Sequence, residues 1–203
     1  MKKILLVAFV AIISTLNTEA QFKVGVIAGR TYSNQARSDA STSKLVSKEA
    51  FRGYSIGLVG DWHLSQQIYL QPQLLYTTKG AKYTAEFGTD AKLTMRYVEL
   101  PVNLLYKHDL SFGKIYVGGG PVVGYNLSGK LENNGQITKL YEGSMNNWNR
   151  FEFSATATAG VEFKNGIFAG FKYQRGLNDI NKSADIEVKN RLVSYTIGYL
   201  VNL

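Results

Sequence analysis

The stretch "MRYVELPVNLLYKHD", Met95 to Asp109, decides how the chain is read. It looks like a buried apolar strand, yet Glu99, Pro101 and Asn103 sit inside it. A carboxylate within an apolar run is costly to bury unless it is paired. Side chains of an extended chain alternate between two faces. Arg96, Val98, Leu100, Val102, Leu104 and Tyr106 fall on one face, which is apolar past its first residue. Tyr97, Glu99, Pro101, Asn103 and Leu105 fall on the other, which carries the polar groups. Roughly 9–11 residues is the length of a strand that crosses a bilayer. A soluble sandwich strand alternates in the same way, so the neighbouring segments must decide.

Working outward, the chain breaks into blocks of strand-like sequence. They are 22–32, 51–61, 67–80, 93–107, 114–127, 151–163, 167–176 and 191–203, eight in all. Alternation is sharp in several of them. Phe151, Phe153, Ala155, Ala157, Ala159 and Val161 oppose Glu152, Ser154, Thr156, Thr158 and Glu162. Val193, Tyr195, Ile197, Tyr199 and Val201 oppose Ser194, Thr196, Gly198 and Asn202. Ile68, Leu70, Pro72, Leu74 and Tyr76 oppose Gln71, Gln73, Thr77 and Lys79. Connections 62–66, 108–113 and 164–166 are short, whereas 33–50, 81–92, 128–150 and 177–190 are long. Short turns on one side and long loops on the other are the layout of an outer-membrane barrel. The expectation is an all-β, eight-stranded, antiparallel up-and-down transmembrane barrel, with both termini on the short-turn, periplasmic side. Its apolar faces meet lipid, Ala157, Tyr195, Ile197 and Tyr199 among them. Eight strands enclose an interior just wide enough to be filled by side chains. Pro101 cannot donate to the ladder, so a bulge or weakened pair is expected there.

Residues 1–20 read as a cleavable signal peptide, and 21–203 as the single barrel domain. Lys2 and Lys3 precede the apolar run Ile4 to Ile13, and Thr18 and Ala20 are the small residues before the cleavage point. Without Cys, the chain has no disulfide, thiolate chemistry or Cys-ligated metal. The mature chain keeps a formal charge of +7, 21 basic against 14 acidic residues. Much of that excess lies in the long loops and strand tips, where Arg52, Lys79, Lys82, Arg96, Lys130, Arg175 and Arg191 are examples. Phosphates of lipopolysaccharide are its natural counter-ions, and no nucleic-acid motif accompanies it.

No catalytic, cofactor-binding or metal-ligating constellation stands out. His63 and His108 fall in short turns, away from any Ser at membrane depth. "GGGPVVG" (118–124) lacks the Lys-Ser/Thr and helix of a phosphate loop; Gly118, Gly120 and Gly124 instead share the lumen face and leave room for large inward side chains. The candidate site is a polar network in the lumen: Glu99 paired with Lys172, with Arg96 or Lys114 as fallbacks, supported by Asn103, Gln71 and Gln73. Glu99, Glu152 and Glu162 are placed at different heights, Glu162 near the periplasmic mouth and Glu152 near the outer one. Tyr76, Tyr106, Tyr125, Tyr173 and Phe163 read as an interfacial girdle.

Several segments together resemble the PorT-like outer-membrane β-barrel family: "YVELPVNLLYK" (97–107), "GGPVVGYNLSGK" (119–130) and "GVEFKNGIFAGFKYQRGLNDI" (160–180), with "FKVGVIAG" (22–29). The resemblance implies a porin-family barrel of the outer membrane and no reaction; one branch of that family is associated with protein secretion. The expected role is structural or surface-recognition, through the long extracellular loops. A narrow conduit for small solutes and an accessory subunit of a secretion complex are the alternatives. Expected partners are outer-membrane lipid and lipopolysaccharide, the barrel-insertion machinery and a secretion or surface partner.

Overall fold

The structure is a computed structural model describing residues 22–39, 50–84, 90–133, 135–141, 148–180 and 186–202. The expected signal peptide, Leu203 and the tips of the long connections lie outside the described residues. The strands are β1 (Phe22–Asp39), β2 (Phe51–Ser65), β3 (Ile68–Thr84), β4 (Asp90–Leu110), β5 (Gly113–Asn133), β6 (Gln136–Lys139), β7 (Phe151–Phe163), β8 (Ile167–Gly176) and β9 (Ile186–Asn202). All described pairings are antiparallel, in the order β4-β3-β2-β1-β9-β8-β7-β5, and β4 also pairs with β5. The sheet therefore closes on itself as the expected eight-stranded up-and-down barrel. β6 is an addition to it, a hairpin partner for the outer part of β5.

The register fixes the barrel's shape. From Phe22 the rungs run through Trp62, Leu70, Leu104, Gly119, Ala157, Tyr173 and Val193, and return to β1 at Tyr32. The circuit closes ten residues further along the strand it left. With a rise of about 3.3 Å per residue and about 4.8 Å between strands, that shear tilts the strands by roughly 40°.

Burial follows the alternation. On β4, Tyr97, Glu99, Pro101, Asn103, Leu105 and Lys107 are buried, whereas Leu100, Leu104 and Tyr106 are exposed. Exposed apolar side chains circle the wall, among them Val26, Ile56, Leu58, Leu74, Val117 and Ile197. Aromatic side chains gather at its two ends. Phe112 and Phe163 pack beside the short turns at 6.0 Å between ring centroids. Towards the long connections, Tyr125 meets Phe151 at 5.1 Å, Tyr54 meets Tyr76 at 6.2 Å and Tyr32 meets Tyr195 at 6.3 Å.

Two local features refine the expectation. Around Pro101 there is no bulge but a weakened pairing: the register on either side is continuous with both β3 and β5, while the rungs of Leu100 and Pro101 to β3 and of Val102 and Asn103 to β5 are missing. The Pro101 ring faces inward and the residue keeps its rung to Val122, so the ladder closes around the lost donor. The bulge lies further up, where Leu127 is the extra residue between Arg96–Ser128 and Tyr97–Asn126. It moves the inward set of β5 from Asn126 to Gly129. The strands also run longer than the sequence suggested, with β1 reaching Asp39 and β5 reaching Asn133. Beyond the apolar belt the outward face meets water, and the inward apolar residues are sparse and isolated in sequence. Hydrophobic contrast vanishes there, although the backbone ladder continues.

Candidate functional site: a charged and capped lumen

The inward residues of β4 sample the whole lumen. From the short-turn end they are Lys107, Leu105, Asn103, Pro101, Glu99, Tyr97, Met95 and Leu93, all buried. Each belongs to a successive layer.

At the short-turn end, Lys107 Nζ donates to Asp61 Oδ2 at 2.7 Å and to Glu162 Oε2 at 2.6 Å. Lys23 Nζ donates to Glu162 Oε1 at 2.8 Å. The Lys107 ammonium also lies 4.6 Å from the centre of the Tyr69 ring. Leu105, Tyr69 and Tyr116 form the apolar filling beside these charges. Gly160 and Gly170 are what admit Tyr116: a Cβ on either would collide with its hydroxyl. Above them, Thr156 Oγ1 donates to Asn103 Oδ1 at 2.7 Å, and Gln73 Nε2 donates to Gln71 Oε1 at 2.9 Å. Ile27, Val59, Leu75, Phe168 and Leu200 pack together as an apolar cluster.

The second charge cluster centres on Lys79. Its ammonium is 2.6 Å from Glu99 Oε1 and 2.9 Å from Glu152 Oε1, and all three side chains are essentially inaccessible to solvent. Gln174 Nε2 donates to Glu99 Oε1 at 2.8 Å. Asn190 Nδ2 and Ser154 Oγ donate to the two oxygens of Glu152 at 2.7 and 2.9 Å. Register explains why two carboxylates meet here. Glu99 and Glu152 are both partners of Gly124 across β5, so they share one rung, and the residue between them has no side chain. Lys172 is buried nearby and attracts Glu99 electrostatically without touching it. In each cluster two lysines face two carboxylates, so each is neutral as a unit. Neutrality is what makes buried ions tolerable in a low-dielectric interior.

The outer mouth is capped by apolar side chains. Leu93, Met95, Tyr97, Leu140, Ile180 and Val188 form one cluster, with Leu131, Tyr141 and Trp148 against it. Backbone bonds from Leu140 to Gly129 and from Asn149 to Ile180 hold the connections over the opening. The Tyr141 phenol is pushed up to about 12 chiefly by burial, against the pull of Arg150, whose guanidinium lies 4.2 Å from the ring centre.

Residues 14–182 match the family described as "Outer membrane protein beta-barrel domain". The chain belongs to that family. No curated protein matches this outer-membrane barrel by sequence. Solved structures similar to it include Neisserial surface protein A, at 14% identity and a TM-score of 0.48, covering 90% of this chain and 99% of that one. Ail of Yersinia pestis, solved with the heparin analogue sucrose octasulfate, has 13% identity and a TM-score of 0.41, covering 88% and 99%. The outer membrane enzyme PagL has 15% identity and a TM-score of 0.36, covering 90% and 99%.

The barrel rearranges the network expected from its sequence. Glu99 is inside, but its contact cation is Lys79, not Lys172, and neither fallback reaches it. Lys172 shares β8 with Gln174, which takes the hydrogen bond to Glu99 from that side. Lys114 donates to the Tyr69 hydroxyl at 2.6 Å, and Arg96 lies on the outward face. Glu99 and Glu152 are not at separate heights, because the tilt of the strands offsets residue positions that are level in space. Asn103, Gln71 and Gln73 are buried in the middle of the lumen. Ala157, Tyr195, Ile197 and Tyr199 are exposed on the outer wall, the last three by 59%, 59% and 47%. Sequence reasoning put Lys79 on the polar face of its strand but counted it among the tip charges, and it missed Lys107, Asp61 and Lys23 as lumen residues. The signal was parity: Lys79 follows Gln71, Gln73 and Thr77, and Lys107 follows Asn103 and Leu105, at every second position. His63 stacks on Tyr69 at 4.7 Å, with Nε2 2.8 Å from the Gln66 carbonyl oxygen, and His108 is exposed.

Proposed function

We propose that the protein is a non-enzymatic integral barrel of the outer membrane whose lumen is a structural plug. Its working surface is then the set of long connections, turned to the cell exterior, with both termini in the periplasm. The observation that carries this reading is the unbroken filling along β4, from Lys107 through Glu99 to the cap at Leu93. Among the described residues the lumen charges are gathered into two lysine–carboxylate clusters, and His63 is engaged by its own turn. In planar bilayers the purified barrel should show no steady conductance; a stable open channel would refute the plug. A photo-crosslinker at Gln136, exposed on the β5–β6 hairpin, should capture a surface partner in intact cells.

A narrow conduit for small solutes is the second reading, and one observation favours it. Glu99 Oε2, Gln174 Oε1, Gln73 Oε1, Asn103 Nδ2 and Ser194 Oγ are buried without a hydrogen-bond partner among the described residues. Buried polar atoms of this kind are where ordered water sits, so the middle of the lumen is its wettest part. The finer kinship with the PorT-like branch, and a role beside a secretion complex, rest on the segments 97–107, 119–130 and 160–180. Co-purification of a large envelope partner in mild detergent tests that role.

A further inference from the structure

We infer that the outer wall over β8, β9, β1 and β2 carries a binding site for the phosphate groups of outer-leaflet lipid. This rests on the reading of that wall as membrane-facing with the long connections outermost. Four of the chain's seven arginines, Arg175, Arg191, Arg30 and Arg52, lie one on each of these four consecutive strands. All four are exposed. They stand among outward aromatics at the long-connection end: Arg30 is level in register with Tyr54 and Tyr195, and Arg52 with Tyr32. Aromatic side chains at that position mark the interface between acyl chains and headgroups. The guanidinium groups are thus presented where lipid phosphates lie.

Two features separate this strip from ordinary surface charge. Arg175 and Arg191 are direct cross-strand partners. Like charges directly opposite one another are destabilising, and neither has a carboxylate partner among the described residues. The arrangement calls for an anion held between them. The strip is also denser than the opposite wall. At the same end that wall presents Tyr125, Leu127, Phe151 and Phe153, with Arg96 of β4 half-buried on the outward face beside them, and Arg150 turns instead to Tyr141 and the Asn126 carbonyl. Arginine is the side chain whose planar fork binds phosphate in two-pronged fashion. A headgroup bearing two phosphates would bridge Arg175–Arg191 to Arg30, while its acyl chains lie along Ile197 and Val26 below.

The test uses the full barrel inserted into phosphatidylcholine vesicles containing increasing mole fractions of bis-phosphorylated lipid A, read as the shift in thermal unfolding. The parent should be stabilised in a saturable way. Arg175→Gln/Arg191→Gln should raise the half-saturating mole fraction at least about tenfold, a loss of about 1.4 kcal/mol of binding. In pure phosphatidylcholine the same double variant should be no less stable than the parent, since its repulsion is gone. Lys130→Gln, an outward cation away from the strip, should titrate like the parent. An unchanged midpoint in the double variant overturns the inference, as does an equal loss in Lys130→Gln. Equal stabilisation by inorganic phosphate with pure phosphatidylcholine would make the site one for soluble anions and overturn the lipid assignment. Failure of the parent to insert at all would instead remove the membrane reading, and this inference with it.

Discussion

Replacing Lys79 with Met removes the cation that, among the described residues, touches both Glu99 and Glu152, while keeping the length of the side chain. The two contacts, at 2.6 and 2.9 Å, are lost in a place where the partners are 1% exposed. Hydrogen bonds to charged groups contribute about 1.5–3 kcal/mol each, and removing one member of a buried ion pair typically costs about 3–5 kcal/mol. Lys172 remains and offsets one carboxylate at a distance. The expected loss for Lys79→Met is therefore about 3–5 kcal/mol. Lys172→Met should cost less, because Lys172 touches neither carboxylate. Adding Glu152→Gln to Lys79→Met restores neutrality, leaving Glu99 opposite Lys172, and should recover a large part of the loss. Urea unfolding in lipid vesicles, followed by heat-modifiable gel migration and by the fluorescence of Trp62 and Trp148, measures these variants, Glu152→Gln alone and the parent. A Lys79→Met barrel within about 1 kcal/mol of the parent would refute the reasoning. So would strict additivity of the two substitutions, since coupled partners must depart from it.

Three further outcomes follow from the geometry. Arg in place of Ala157 or Ile197, both exposed on the apolar belt, should destabilise the barrel in vesicles by about 2–4 kcal/mol; no change in the urea midpoint would mean that the belt does not face lipid. A cysteine at Gln136 should react with a membrane-impermeant maleimide on intact cells and one at Asn165 should not; the reverse pattern would invert the barrel in the membrane. Gly170→Ala should cost about 1–3 kcal/mol by overpacking against the Tyr116 hydroxyl, the nearest atom a Cβ there would meet. Combining it with Tyr116→Leu should remove most of that penalty relative to Tyr116→Leu alone, whereas an unchanged penalty would show that the tyrosine is not the obstacle.

What could be read from the sequence was set by hydrophobic contrast. Strand number, direction and facing came from period-two patterning, because lipid on one side and a packed lumen on the other impose it residue by residue. Glu99 announced itself as a lumen charge because it interrupts an apolar run. Its partner did not, because Lys79 sits in "YTTKGAKYT" (76–84), where charge looks like strand-tip decoration. The cap at the outer mouth was hidden for a different reason. Leu140, Ile180 and Val188 are isolated apolar residues in polar surroundings, and only the closed barrel brings them to Met95 and Tyr97. Pairings among charges depended on the shear, a closure property that no single strand records.

The two neutral clusters also bear on how the barrel gets into a membrane. Lys23 and Glu162 are 139 residues apart in the chain, and Lys79 and Glu152 are 73 apart. An unclosed sheet would carry bare ammonium and carboxylate groups into hydrocarbon, at several kcal/mol for each. Until the first and last strands meet, Lys23 on β1 cannot reach Glu162 on β7. Closure of the seam and cancellation of these charges are thus one event. On the proposed reading of the lumen as a plug, the barrel is expected to insert as a whole rather than strand by strand.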